Sequence, residues 1–335
     1  MCALAVREID NLESLRTDWL ELWKSSSTAT PFQSPDWLIP WWKHFGAGRL
    51  CVLAMHEGAR LVGVAPLFVC GEHDLRLIGT GNTDYLDVLI DDRVCEHGVA
   101  RMFAHLCKLR YECDFENLAA RSTLLSMSTC TGFREQVEEE DCCPVLSLAP
   151  SVEGFINGLP KHLRQNLSYQ QRKLVGLGEV KIECAREENF SELFEAFLRL
   201  HERRWRMNNM PGVLCDENVQ SFLREATEGL LLHDALRLYG LRIDDRIVAS
   251  LCGFHHAGRT YYYLSGFDPE FKQFGPGTIL VAHAITEAIR ERAKEFDFLR
   301  GREEYKYRWG AVDRPFYRKH LKLKQDSHDH LEKIM

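Results

Sequence analysis

Residues 272–278 read KQFGPGT, and an apolar helical pattern follows at once in residues 279–293, ILVAHAITEAIRERA. The first turn of a helix has unpaired backbone N–H groups and carries about half a positive charge, so a glycine-rich approach to it suits a phosphate group. Gly275 and Gly277 would let the backbone come close to such a ligand, and Pro276 would restrict the loop. The same residues are typical of an ordinary turn between a strand and a helix. The surrounding sequence has to distinguish a phosphate-binding loop from a turn.

The chain contains two copies of a three-strand pattern. Residues 50–79 read as three strands separated by the turn sequences HEGA and CGEHD, and residues 236–265 read the same way, at an offset of 186 residues and without a gap. Each copy is followed by a helical segment, at about 93–110 and 278–294, and then by a short strand pattern, CDFENL or FDFLRG. This order predicts a mixed α/β fold, a mostly antiparallel sheet with flanking helices, in a duplicated chain.

Helices are also predicted before each copy. The sequence SPDWLIPWWKHF begins with a Ser-Pro helix start, and residues 189–205, NFSELFEAFLRLHERRW, carry apolar side chains at the spacing of one helix face. A stripe of this kind is typical of a core helix.

A domain boundary is predicted within residues 142–163, CCPVLSLAPSVEGFINGLPKHL, where a strand-like run ends at Pro150 and a helix begins. A chain of 335 residues is long enough for two domains with separate cores. We therefore expect an N-terminal domain at residues 1–150, a C-terminal domain at 151–325 and a tail at 326–335.

Composition limits the classes of function. The formal net charge is -7, which disfavours a long nucleic acid as the main partner, because phosphate neutralisation needs clustered Lys and Arg. The 12 cysteines form no CxxC or zinc-type spacing, so we expect mostly reduced thiols and no metal site. The longest apolar stretch, LVGVAPLFVCG, is too short to cross a bilayer, and the N-terminus does not read as a signal peptide. These features predict a soluble cytoplasmic protein, and they leave its oligomeric state open.

A family resemblance rests on the opening loop and its flanks. Residues 272–277 fit in frame the Arg/Gln-x-x-Gly-x-Gly/Ala pattern with which GNAT acyltransferases bind the pyrophosphate of acyl-CoA, except that Lys272 stands where Arg or Gln is usual. The longer pattern YYYLSGFDPEFKQFGPGTILVAHAI, with FDFLRGREEYKYRWGA after it, resembles a double-GNAT family of acetyltransferases in cellulose or exopolysaccharide biosynthesis. That family is similar to the Fem aminoacyl transferases of peptidoglycan synthesis. The likeness covers about residues 160–310, and more weakly FQSPDWLIPWW and GTGNTDYLDVLI in the first half.

The resemblance implies two tandem GNAT-like domains and acetyl-CoA, or another acyl-CoA, as the cofactor. The cofactor-binding residues that it implies form one loop: Lys272, Gln273, Phe274, Gly275, Pro276, Gly277 and Thr278. In the first half, Asp91 and Asp92 precede the corresponding helix and would repel a phosphate. We therefore expect only the second half to bind the cofactor.

The chemistry that the resemblance implies is direct attack of an acceptor on a thioester held where two parallel strands separate. Such a site needs a base, oxyanion donors and an acid for the departing thiolate. The segment GREEYKYRWG follows the second of those strands and offers Glu303 as the first choice of base, Tyr305 as the acid and Lys306 as a ligand for an anionic acceptor. Asp268 is a second base candidate, although Asp-Pro is also typical of a turn. Each of these side chains is equally compatible with a packed or solvated surface position.

Two more segments are candidate acceptor contacts. Arg164 lies in PKHLRQNLSYQQRKL, a basic helix that would flank an anionic acceptor or the 3′-phosphate of the cofactor, or would simply be solvated. Asp84 and Tyr85, in TDYLD, would line an acceptor cleft, or would belong to a capped turn before a strand.

Three hypotheses follow from the sequence. The first is an acyl-CoA-dependent N- or O-acyltransferase acting on a small-molecule or saccharide acceptor, such as a sugar or nucleotide-sugar precursor of a surface polysaccharide. The second is a Fem-like transferase that takes an aminoacyl group from tRNA, which the negative net charge and the phosphate loop disfavour. The third is a catalytically inactive GNAT pair that serves as a scaffold.

Overall fold

The computed structural model describes residues 4–94, 96–126, 132–207 and 209–324. In chain order the strands are β1 Leu4–Ile9, β2 Arg49–Leu50, β3 Val52–Glu57, β4 Arg60–Ala65, β5 Leu67–Cys70, β6 Asp74–Leu77, β7 Leu89–Ile90, β8 Glu112–Ala119, β9 Phe133–Ser147, β10 Val180–Cys184, β11 Leu236–Ile243, β12 Arg246–His256, β13 Arg259–Phe267, β14 Glu295–Asp297 and β15 Val312–Leu323. The helices are α1 Arg16–Ser25, α2 Pro35–Phe45, α3 Glu96–Lys108, α4 Thr123–Ser126, α5 Val152–Gly158, α6 Lys161–Val175, α7 Phe190–Arg206, α8 Glu217–Leu232, α9 Pro276–Arg290 and α10 Glu304–Tyr307. Short 3-10 segments lie at Leu12–Leu15, Pro31–Gln33, Val213–Cys215 and Pro269–Phe274. The fold class is mixed α/β with mostly antiparallel strand pairing, as the sequence predicts.

The chain forms two compact units. The first contains residues 1–42, 46–141 and the chain from 315 onwards, and the second contains residues 43–45 and 142–314. The division between them differs from the expected boundaries at 150 and 325. From residue 315, β15 belongs to the first unit because it pairs antiparallel with β8, with Phe316 opposite Ala119. The predicted tail at 326–335 lies outside the described residues.

The two units contain the same hairpin. In the first unit β3 and β4 pair with Glu57 opposite Arg60 and an irregularity after Met55. In the second unit β11 and β12 pair with Ile243 opposite Arg246 and an irregularity after Leu241. Both features recur at the 186-residue offset, as the duplicated pattern predicts for this hairpin. The next hairpin does not keep the offset, because Cys70 lies opposite Asp74 in the first unit and His256 opposite Arg259 in the second. The first copy differs at Pro66, where β4 ends and β5 begins, whereas β12 runs without a break.

Each unit also contains a parallel strand pair that flanks a helix. β6 pairs with β8, with Asp74 opposite Glu112, and α3 lies between them in the sequence. β13 pairs with β14, with Arg259 opposite Glu295, and α9 lies between them in the sequence. In the second unit the strand, helix and parallel strand follow in this order and form a crossover unit, so α9 starts shortly after the end of β13. In the first unit β7 lies between β6 and α3.

The core of the second unit explains how α9 is held. Ile279, Leu280, Ile285 and Ala288 of α9 are buried in one apolar cluster with residues of β11, β12 and β13. The helix begins after Gly275, which adopts the left-handed conformation with φ 62°, and Pro276 occupies its first turn. Glycine adopts this φ at little cost, and proline at the first helical position lacks only an N–H that would be unpaired in any case.

The described helices include none that is long and apolar enough to cross a membrane. Within the same residues, no group of three or more His, Cys, Asp or Glu side chains is placed to hold a metal ion.

Candidate active site

A cavity of about 230 Å³ lies in the second unit, where β13 and β14 stop pairing. The parallel pairing ends at Tyr261 opposite Asp297, and from there to Phe267 β13 continues in its antiparallel pairing with β12. The cavity is lined by residues of α6, α7, β13, the segment before α9, α9, α10 and the two positions after α10: Leu163, Asn166, Arg204, Tyr262, Ser265, Phe267, Lys272, Gly275, Pro276, Gly277, Thr278, Val281, Tyr305, Arg308 and Trp309.

The predicted cofactor loop supplies a third of this lining. Lys272 and Gly275 to Thr278 line the cavity, whereas Gln273 and Phe274, the last two residues of the 3-10 segment, do not. Space is left at Gly277, where a Cβ atom would meet only Cδ1 of Phe267, at 3.8 Å. A ligand can therefore approach the backbone at the start of α9, which is the geometry that a phosphate needs.

The cavity is positively charged. Its lining, within the part of the chain that the structure describes, contains three cationic side chains, Arg204, Lys272 and Arg308, and no Asp, Glu or His. Arg308 is largely exposed and lies 3.7 Å from Glu304, whereas no carboxylate of the described residues forms an ion pair with Lys272. In a protein of net charge -7, this local excess of cations favours an anionic ligand.

Hydroxyl groups lie beside the cations. The hydroxyls of Tyr262 and Ser265 form a short hydrogen bond, and Nη1 of Arg204 donates to Oγ of Ser265 at 2.9 Å. The ring of Tyr305 packs edge-on against that of Tyr262, with centroids 6.3 Å apart. Burial, with Tyr262 and Glu303 nearby, raises the pKa of Tyr305 well above its usual value. Tyr305 is therefore protonated at neutral pH. Its hydroxyl is hydrogen-bonded with that of Tyr262 and can donate to a ligand by exchanging that partner.

Glu303 and Lys306 are placed differently from the expectation. Neither lines the cavity. Lys306 is 2% exposed, and its Nζ donates to the carbonyl oxygens of Leu299, Arg300 and Gly301 at 2.7–3.1 Å. The carboxylate of Glu303 completes this arrangement, 2.9 Å from Nζ of Lys306. The pair holds the turn after β14, so the geometry does not support Lys306 as an acceptor ligand or Glu303 as a base.

Asp268 is also held in a structural contact. Its side chain is 1% exposed and forms ion pairs with Arg203, at 2.6 Å, and with Arg246. It also accepts from the backbone N–H of Glu270 and so caps the 3-10 segment. The two arginines hold the carboxylate in place, and Asp268 does not line the cavity. These contacts fit the interpretation of Asp268 as part of a turn better than a role as the catalytic base.

The three acceptor candidates do not line the cavity either. Arg164 lies on α6, and its guanidinium donates to the carbonyl of Asn157 at 3.4 Å. Its helix neighbours Leu163 and Asn166 reach the cavity instead. Asp84 and Tyr85 are buried in the first unit. Their proposed contact with an acceptor stays a prediction.

The two aspartates of the first unit are engaged locally. Asp91 forms ion pairs with Arg60 and Arg93, both at 2.7 Å, and its hydrogen bonds with Arg93 hold the pKa of its carboxyl well below the usual value. Asp92 accepts from the backbone N–H of Ser27 at 3.0 Å. The absence of a cofactor site in the first half stays a prediction.

Sequence reasoning missed Arg204, Tyr262, Ser265 and Arg308. The two β13 residues belong to the quoted stretch YYYLS, but its three consecutive tyrosines do not indicate which ring faces the cavity. Arg204 lies in the run HERRWR, and only the packing of α7 shows that Arg204 faces the cavity and that Arg203 and Arg206 do not. Arg308 is the last cation of GREEYKYRWG, one turn beyond Tyr305.

Comparisons with known proteins support the fold. Residues 161–307 match the family model described as acetyltransferase (GNAT) domain, which covers most of the second unit. A search of curated protein sequences gave no match. The crystal structure of FemX is similar, with a TM-score of 0.68, 10% identity, and coverage of 96% of this chain and 97% of that one. The C-terminal domain of a putative lysylphosphatidylglycerol synthetase from Agrobacterium fabrum is similar with a TM-score of 0.63, 11% identity, and coverage of 94% and 93%.

These TM-scores show a shared fold, and identities this low do not assign a function to the chain. The match at residues 161–307 supports a GNAT-type domain in that part of the chain, as the opening loop predicts, and the similar structures show that the chain shares its fold with FemX.

Proposed function

We propose that this protein is an acyl-CoA-dependent acyltransferase whose donor site is the cavity at the start of α9. The observation that carries the proposal is the open backbone at Gly277, beside Lys272 and the first turn of a 15-residue helix, in a segment that matches a GNAT domain model. Unpaired N–H groups, the helix dipole and a lysine together favour a pyrophosphate.

The cavity fits the reactive end of such a donor better than the whole of it. A volume of about 230 Å³ lies below the range of about 300–1,000 Å³ that is usual for sites enclosing a drug-sized ligand. The acyl group and the adjoining chain would be enclosed, and the nucleotide would lie at the surface. When bound, the donor supplies an activated thioester for attack by the acceptor.

The residues around the cavity define what this chain contributes. Lys272 and the N–H groups at the start of α9 bind the phosphates, and Phe267 and Val281 form apolar walls. Tyr305 donates a hydrogen bond to the departing sulfur. Full proton transfer from Tyr305 is unfavourable, because its raised pKa lies above the value of about 8.5 that is usual for a thiol. Since no carboxylate or imidazole of the described residues lines the cavity, the proton of the acceptor passes to solvent water.

For the acceptor we propose an amine or hydroxyl of a sugar, nucleotide-sugar or related surface-polysaccharide precursor. This step rests on the resemblance of residues 160–310 to the double-GNAT family. The test has two parts: mass spectrometry of the CoA species that co-purifies, then a panel of amino sugars and nucleotide sugars with acetyl-CoA and a free-thiol readout. Thiol release that depends on one acceptor supports the proposal. Absence of CoA binding by calorimetry would reject it.

A second candidate is a Fem-like transfer of an aminoacyl group from tRNA. The observation that favours it is α6, which has no acidic residue in 15 positions and exposes Lys161, Arg172 and Lys173. A binding measurement with charged tRNA at two salt concentrations separates the candidates. Tight, salt-dependent tRNA binding with no CoA binding would favour the second candidate over the first.

A further inference from the structure

The cavity contains a guanidinium that no carboxylate of the described residues neutralises. Within that part of the chain, Arg204 forms no ion pair, and it donates through Nη1 to the carbonyl oxygen and Oγ of Ser265. Arg203 and Arg206, on the same helix, form ion pairs with Asp268 and Glu202. Arg204 is nevertheless only partly exposed. A cation that is shielded from part of the solvent and has no counter-ion among the described residues attracts an anionic ligand.

The position of Arg204 is fixed from two sides. Helix α7 approaches β13 so closely that a Cβ atom on Gly266 would lie 2.1 Å from the backbone nitrogen of His201, one turn before Arg204. The guanidinium itself lies over the ring of Phe267, 5.9 Å from its centroid. The arginine is therefore held in the cavity wall with Nε and Nη2 left to donate to a ligand.

Hydroxyl donors complete the surroundings of this guanidinium. Ser265 connects Arg204 to the hydroxyl of Tyr262, and Tyr305 packs against Tyr262. A planar guanidinium with neighbouring hydroxyls suits an oxyanion group such as a carboxylate or a phosphate. Lys272 and the start of α9 already account for the pyrophosphate of the donor, and they belong to a different element of the cavity wall.

We infer that Arg204 binds a carboxylate or phosphate group of the acceptor, so that this enzyme acts on an acidic acceptor. The inference rests on the proposed function, which assigns the phosphate loop to the donor. It narrows the acceptor from any saccharide or small molecule to one that carries an acidic group near the reacting amine or hydroxyl.

Chemical modification of arginine tests this inference while the acceptor is still unidentified. Phenylglyoxal is added to the CoA-saturated protein, and the labelling rate of each arginine is followed by peptide mass spectrometry. The probes are inorganic phosphate and acetate, in separate experiments. Exposed Arg199, on the same helix, is the internal control. We expect either probe, at about ten times its dissociation constant, to slow labelling of Arg204 about tenfold and to leave Arg199 unchanged.

A comparison of variants shows whether Arg204 belongs to the acceptor site or to the donor site. In Arg204→Met, and in the milder Arg204→Lys, CoA affinity by calorimetry should equal that of the Arg199→Met control. In both variants, phosphate and acetate should slow the phenylglyoxal labelling of no other arginine. If CoA alone protects Arg204, or if Arg204→Met lowers CoA affinity tenfold, Arg204 belongs to the donor site and the inference is wrong while the proposed function stands. If neither anion protects Arg204, the inference is also wrong. If wild-type protein does not bind CoA, the proposed function fails, and protection by phosphate or acetate still decides whether Arg204 is an anion site.

Discussion

Gly266 and His201 are in such close contact that β13 and α7 tolerate no side chain between them. A Cβ atom on Gly266 would lie 2.1 Å from the His201 nitrogen and 2.3 Å from the carbonyl carbon of Leu200. Both neighbours are backbone atoms, so relief would require the helix to move. This contact sets where α7 presents Arg204 to the cavity.

Gly266→Ala should therefore lower the free energy of unfolding by about 1–3 kcal/mol, the usual cost of overpacking. Chemical denaturation measures this change. Gly158→Ala is the matched control, because a Cβ atom there would meet nothing within 4 Å. Equal stability of the two variants would show that α7 lies further from β13 than the structure has it.

His201 should make stability depend on pH. It is fully buried, its Nε2 accepts from Nε1 of Trp205 at 2.9 Å, and burial lowers its pKa to about 4. Because the unfolded chain binds a proton near pH 6.5 and the folded protein does not, the contribution of His201 is fully present above pH 6.5. It is lost as the pH falls towards 4, by about 3 kcal/mol in all.

The measurement for His201 is the unfolding free energy across this window for wild type and His201→Gln. The glutamine keeps a hydrogen-bond acceptor near Trp205 but does not titrate. The difference between the two proteins should shrink as the pH falls from 6.5 to 4. A constant difference would mean that His201 is protonated, or exposed, in the folded state.

Lys306→Met distinguishes a structural lysine from an acceptor ligand. The methionine fills a similar volume but leaves the carbonyls of Leu299, Arg300 and Gly301 without their shared donor, so stability should fall by at least about 2 kcal/mol. The KM for the acceptor should stay within about threefold of wild type. A large increase in this KM at unchanged stability would restore Lys306 to the acceptor site.

Tyr305→Phe removes the hydroxyl proposed to assist the departing sulfur. We expect kcat to fall about tenfold or more, with CoA affinity retained. Tyr307→Phe is the matched control, since its hydroxyl donates to Asp313 at 2.7 Å and does not line the cavity. Glu303→Gln should change kcat by less than about threefold. A loss of about a hundredfold in Glu303→Gln would identify Glu303 as the base after all.

The parts of the site that depend on local sequence were predictable. The loop at 272–278 needs glycine, proline and a following helix, and all three can be read from adjacent residues. The hairpin register was equally local, because Arg60 and Arg246 each follow a two-residue turn.

The parts that depend on distant packing could not be read from the sequence. Glu303, Tyr305 and Lys306 are close neighbours in the chain, yet only Tyr305 faces the cavity, since the other two hold the turn after β14. Arg204 lines the cavity, and the other arginines of its run do not, because of the way α7 packs against Gly266. The pairing of β15 with β8 joins residues about 200 positions apart.

The central claim, that the start of α9 binds the donor phosphates, is tested most directly by calorimetric titration of CoA into wild type and Gly277→Val. The site has room for a Cβ atom beside Phe267, so the variant should keep its fold while its branched side chain occupies the approach to the backbone. The account predicts a CoA affinity at least about tenfold lower, equivalent to about 1.4 kcal/mol, with an unchanged melting temperature. CoA affinity equal to that of wild type would contradict the claim and would leave KQFGPGT as an ordinary turn.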